Sequence, residues 1–301
     1  MADFMNQFAV GSWWHYGLFT SFMAAGFLLA NQHYKLNAGT LMLWRGFGVA
    51  LAFLPFMLLS QQPTDPTFYY AVIAQGLIVS IVDRITITSA SRFGAGITSR
   101  LLPIGVWVTF VIWLVMKPAY FYSLTHDMTK LAAVTGAIVV AVVAMFFMRR
   151  DTVSKEALMF LLPNIFLFGV IDVLNKTAID ASGDPVTGAY AYGFWLSLIV
   201  GVCTLLSRRI LGQKKLNLHE AFEPRTIKCG LMMVAFMLLA MFSKNLGMFK
   251  AANPAYIGLL TLSTPIWIAF YNRFTGHKDK SNLWAGMLFV LSAAVLIAFT
   301  K

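Results

Sequence analysis

The sequence predicts an all-α polytopic membrane protein, with ten transmembrane helices arranged as two inverted-topology five-helix repeats. Three observations lead there: the composition, the spacing of apolar runs, and an order of motifs shared by the two halves. Of 301 residues, 59% are hydrophobic and only 12% charged, with a mean hydropathy of +0.72. A soluble domain is about half apolar and a quarter charged. Each span needs about 20 apolar residues, so ten spans use most of the chain. The remainder, shared among short connections, leaves no room for a soluble catalytic, nucleotide-binding or receptor domain.

The apolar runs fall at about 12–32, 39–60, 68–89, 94–116, 129–148, 157–177, 186–206, 226–249, 254–273 and 282–300. The first opens on Trp13, Trp14 and Tyr16, which read as interfacial belt residues. It lacks the basic flank of a cleavable signal, so it is expected to be retained. Turn chemistry separates later runs: Gln61-Gln62-Pro63-Thr64-Asp65-Pro66, Ser182-Gly183-Asp184-Pro185 and Gly276-His277-Lys278-Asp279-Lys280. The longest polar stretch, 207–228, suits a short surface helix. Cys203 and Cys229 lie in or beside apolar runs and carry no disulfide signal.

The net charge of +11 would suggest a nucleic-acid partner in a soluble protein. Here the basic residues gather in alternate loops, and no nucleic acid is expected. Odd-numbered loops hold Lys35, Arg92, Arg149, Arg150, Lys155, Arg208, Arg209, Arg273 and others, against Lys117, Lys130, Lys176, Lys250 and Lys301 opposite. The positive-inside bias then puts the odd loops in the cytoplasm and both termini on the non-cytoplasmic side of a cell inner membrane.

The halves, 1–150 and 151–301, share an order of motifs. Gly96 precedes Pro103 by seven residues in the fourth run, as Gly258 precedes Pro265 in the ninth. Trp44-Arg45-Gly46-Phe47 in the second run answers Ala191-Tyr192-Gly193-Phe194 in the seventh, and Arg84 in the third answers Lys244 in the eighth. Five helices per half is odd, so the second half would enter the membrane inverted, an arrangement common in secondary transporters.

The layout resembles the drug/metabolite transporter superfamily, and specifically its EamA-type ten-helix carriers. The stretch Ala251-Ala252-Asn253-Pro254-Ala255-Tyr256-Ile257-Gly258, through Thr264-Pro265-Ile266-Trp267 to Gly286, carries most of the likeness. Leu43-Trp44-Arg45-Gly46-Phe47 is similar to the family's second helix, and Asp172-Val173-Leu174-Asn175-Lys176 to the end of its sixth. The chain departs from the family pattern at Lys117-Pro118 and Gly276-His277, where a glutamate is frequent, and its first run holds no acid. The resemblance implies alternating-access carriage of a small-molecule metabolite such as an amino acid, nucleoside, sugar or sugar phosphate.

Ionisable groups inside a bilayer cost a few kcal/mol or more and point to function or to a partner. The candidates are Arg45, Asp83, Arg84, Arg100, Asp172 and Lys244. Arg45 reads mainly as a cytoplasmic anchor. Asp83 suits an ion pair with Arg100 or a substrate role. Asp172, four residues before Lys176, suits a helix-end pair or a gate and proton acceptor. Lys244 has no acid within reach on its own helix, and inverted symmetry would set it opposite Arg84 across one cavity. Arg84, Arg100 and Lys244 would then favour a solute with a carboxylate or phosphate. If Asp83 and Asp172 neutralise two cations, a zwitterion or aromatic amino acid fits instead. Pro103 and Pro265 would bend the fourth and ninth spans as gating hinges, with Tyr192, Tyr256 and Trp267 lining the cavity.

No zinc cluster, paired-acid motif or phosphate loop is present in the sequence. No cofactor, metal or catalytic residue is therefore expected, and the expected partners are the lipid bilayer, the solute and protons as a coupling ion. Two complete halves make a monomer sufficient. A membrane-embedded lipid-modifying enzyme or flippase component is the alternative class, and an ion channel is a third.

Overall fold

Apolar residues cover the outside of this molecule as well as its inside. On α3 (Pro66–Phe93) the exposed face carries Tyr70, Ile73, Leu77 and Ile81, while Phe68, Val72, Gln75, Val79 and Val82 on the other face are buried. Continuous exposed apolar stripes of this kind belong in lipid rather than water. The computed structural model describes residues 11–34, 36, 38–93, 104–147, 155–210, 221–276 and 282–300.

Every regular element among the described residues is helical. Besides α3, these are α1 (Trp13–Tyr34) and α2 (residues 38–58), then α4 (Ile104–Met116) and α5 (Met128–Phe147). They continue with α6 (Lys155–Asp180), α7 (Pro185–Ile210), α8 (Pro224–Lys250), α9 and α10 (Leu283–Thr300). A short helix, Pro118–Thr125, follows α4 at 103° to it. The helix α9 consists of Pro254–Thr261 and Thr264–Phe274, separated by Leu262 and Ser263.

Among the described residues, seven helices are long and apolar enough to cross a membrane, or eight if α4 and its bent partner form one span. The chain is thus a multi-pass helical membrane protein. The ten runs expected from the sequence each contain a helix, but α1 and the short α10 fall outside that set.

Local chemistry explains the boundaries. Asp65 caps α3, its Oδ1 accepting from the Thr67 N–H at 2.8 Å, with Pro66 at the first helical position where no donor is needed. Asp184 caps α7 through the Val186 and Thr187 N–H groups. Asn253 caps α9 through the Ala255 N–H. Inside α2, Trp44–Gly48 forms a π-helical turn, an irregularity often found at functional sites.

The helices pack as an interlocked set. α1 lies against α8, α3 against α6, α2 against α7 and α5 against α10; α4 rests on α6, α9 on α1 and α4, α7 on α3, and α2 on α8. The α1–α8 pair is antiparallel: Ser243 Oγ donates to the Tyr16 carbonyl at 2.8 Å at one end, and Arg225 donates to the Tyr34 carbonyl at the other. Close backbone approach at the α2–α7 crossing requires glycine. A Cβ on Gly46 would stand 2.4 Å from the Gly201 Cα, and one on Gly193 would meet the Phe53 ring at 2.5 Å.

Pro265 was expected to kink a continuous ninth helix. It instead sits in the first turn of the second half of α9, just after the break at Leu262–Ser263. There its missing N–H costs no helical bond. Ser21 of α1 braces the break: its Oγ accepts from Ser263 Oγ at 2.6 Å and from Trp267 Nε1 at 2.8 Å.

Candidate substrate site

Among the described residues, two ion pairs join different helices within the bundle. Lys244 Nζ on α8 donates to Asp172 Oδ1 on α6 at 2.7 Å, the side chains being 25% and 11% exposed. Arg45 Nε, in the π turn of α2, stands 2.9 Å from Asp83 Oδ2 on α3. This second contact is close but poorly aligned. The buried Arg45 Nη1 and Asp83 Oδ2 have no well-directed hydrogen-bond partner among the described residues.

Tyr192 on α7 links the two pairs. It is 2% exposed, lies close to Gln75 of α3, and is within electrostatic range of both Asp172 and Arg45. The second oxygen of Asp172 lies against α9 at Gly258, where a Cβ would be 3.1 Å away. Residues of α2, α3, α6, α7, α8 and α9 thus surround the two pairs.

One expected pairing changes. Asp172 does not hold Lys176; Lys176 reaches forward to Asp180 Oδ1 at 2.6 Å and to the Phe249 carbonyl at 3.3 Å. Asp180 ends α6 and Phe249 lies near the end of α8, and Lys176 is one turn closer to the α6 terminus than Asp172. Asp83 has Arg45 beside it, because the α2 π turn brings the guanidinium to α3, while its expected partner Arg100 lies outside the described residues. Arg45, read as an anchor, is thus part of the centre. Its match to Tyr192 in the repeated motif was the sequence signal for that. Arg84 follows Asp83 on α3, but its side chain lies outside the described residues, as do Arg100 and Pro103.

Tyr256 is 1% exposed and belongs to a second cluster near the α8–α9 connection. Its hydroxyl is hydrogen-bonded to that of Tyr120 on the short helix, and its ring centroid is 5.6 Å from that of Trp13. Trp13 is therefore a packed core residue rather than a belt residue. Trp113 Nε1 donates to the Ala252 carbonyl at 2.9 Å in the same region, and Lys117 lies over the Trp113 ring at 5.5 Å. Trp267, expected in the cavity lining, is engaged with Ser21.

An apolar multi-helix bundle with paired charges among its helices defines a multi-pass helical membrane protein. The chain matches no family model, and no curated protein matches it.

Proposed function

We propose that this protein is a secondary active transporter of the inner membrane, moving a small organic solute with an acidic group by alternating access. The observation that carries the reading is the convergence of Arg45, Asp83, Asp172 and Lys244 from four helices inside a lipid-covered bundle. Keeping charges there is costly unless they serve transport or strict pairing. Because each cation has an acid beside it, the geometry favours a zwitterion such as an amino acid over a multiply charged anion. The solute carboxylate would take Lys244 and the open Nη1 of Arg45, and its ammonium group would take Asp172. Arg84 and Arg100 would extend the basic lining towards the cytoplasm, with Asp83 ordering Arg45.

The packing supports two inverted repeats, 1–150 and 151–301, with ten spans. Advancing each helix by five converts the α3–α6 contact into α8–α1, α4–α6 into α9–α1, and α3–α7 into α8–α2, all of which occur. The EamA-type carriers of the drug/metabolite transporter superfamily share that plan. Pro103 and Pro265 would flank the moving segments, and Tyr256 would close the non-cytoplasmic end, where both termini would lie. Asp172 is the proposed coupling or gating residue, a proton and the solute ammonium competing for its carboxylate. Net transport requires the solute to bind the two states unequally.

Thermal unfolding of the purified protein against anionic, zwitterionic and cationic metabolites tests the reading. A solute at 100 times its Kd stabilises by about 2.7 kcal/mol. Zwitterions or acids should raise Tm, Lys244→Ala should abolish the rise, and reconstituted vesicles should take up the same solute. Stabilisation by cations alone would refute the site.

A further inference from the structure

Near the charges lie buried amides whose hydrogen-bonding capacity is partly unused. Gln75 on α3 is 1% exposed, Asn175 on α6 is 2% exposed and Asn245 on α8 is fully buried. Gln75 Oε1, Asn175 Oδ1 and both Asn245 side-chain polar atoms have no partner among the described residues. Buried polar groups in native proteins are nearly always satisfied, so a cluster of exceptions calls for an occupant. The hydrocarbon core of a bilayer offers no water to satisfy them from outside.

These amides adjoin the ion-paired centre. Asn175 is three residues after Asp172 and so on the adjoining face of α6. Asn245 follows Lys244 on α8, within a turn of Met241 and Phe242, which face Ser197 and Tyr190 of α7. Gln75 lies between Val72, which shares a buried cluster with Ala178 and Ile179, and Val79, which shares another with Ile171. The α3–α6 packing sets it beside this part of α6, close to Tyr192 of α7.

We infer that Gln75, Asn175 and Asn245 form a neutral polar subsite, so that the transported solute bears a hydroxyl or carboxamide in addition to its charged group. The inference rests on the carrier reading above. Carboxamides supply both donors and acceptors and match a hydroxyl or amide of the solute without adding charge. A site built on such groups discriminates strongly against an analogue that leaves them unpaired.

The test uses the full-length purified protein and near-isosteric solute pairs: L-asparagine with L-leucine, L-threonine with L-valine, and malate with succinate. In at least one pair the polar member should stabilise with a Kd about 10-fold or more lower than its partner. Asn245→Leu and Asn175→Leu should each reduce that preference to about 3-fold or less. Their Tm without solute should be unchanged or higher, because an apolar replacement removes an unsatisfied group. Equal binding of both members of every pair would overturn the subsite while leaving the carrier reading standing. So would two variants that lose Tm yet keep the preference, since the amides would then be structural. Binding of no member would overturn the solute class and the subsite together.

Discussion

Lys244 and Asp172 meet at 2.7 Å across 72 positions of sequence, joining α8 to α6 in the interior. Removing one partner from such a pair strands the other charge, whereas replacing both with apolar groups removes the demand altogether. Lys244→Met or Asp172→Leu alone should destabilise by about 3 kcal/mol, the low end for a buried pair given the partial exposure of Lys244. The double variant should recover most of that loss and still fail to bind solute. A double-mutant cycle in detergent, read by Tm and by solute binding, checks both parts.

The α2–α7 crossing gives a steric prediction. A methyl group at Gly46 would meet the Gly201 backbone at 2.4 Å, which has no rotamer to yield. Gly46→Ala should cost about 1–3 kcal/mol. Gly136 of α5 has nothing within 4 Å of its Cβ position, so Gly136→Ala should be neutral or stabilising by up to about 1 kcal/mol through helix propensity. Tm measurements on the two alanine variants distinguish these signs.

Tyr120 and Tyr256 share one hydroxyl–hydroxyl bond between the short helix and α9. Tyr120→Phe and Tyr256→Phe should each cost about 1 kcal/mol, and the double variant clearly less than their sum. If the contact closes this end of the molecule, a cysteine introduced at the centre should react faster with a membrane-impermeant thiol reagent in either variant.

Asp65, in the loop before α3, gives a pH prediction. Hydrogen bonds from the Thr67 side chain and backbone hold its carboxyl below the ordinary carboxylate range. A lowered folded-state value means the cap stabilises above the unfolded-state value and is lost as pH falls through the folded one. Asp65→Asn should therefore lower Tm at neutral pH, and the gap from the parent protein should close in strong acid. An unchanged gap down to the lowest pH would assign the effect to packing.

Periodicity and turn chemistry made the helices legible in the sequence. The runs expected at 39–60, 129–148 and 226–249 correspond to helices at 38–58, Met128–Phe147 and Pro224–Lys250. Apolar length and caps are local properties, and Asn253-Pro254 announces the start of α9 before any contact is known. The charged residues inside the runs were equally plain, and Lys244 and Asp172 could be singled out from composition alone.

What the sequence could not determine was who partners whom. Spacing along one helix suggested Asp172 with Lys176, because four residues return to the same face. The pairings across helices depend on the rotation of each helix about its axis and on the register of antiparallel neighbours, neither of which is encoded in any single run. Only the packed bundle turns Asp172 towards Lys244 and sends Lys176 to Asp180. Only the α2 π turn and the glycine crossing bring Arg45 to Asp83. Which polar groups must be inside was thus a local property of the chain; how their charges are satisfied was decided by the tertiary structure.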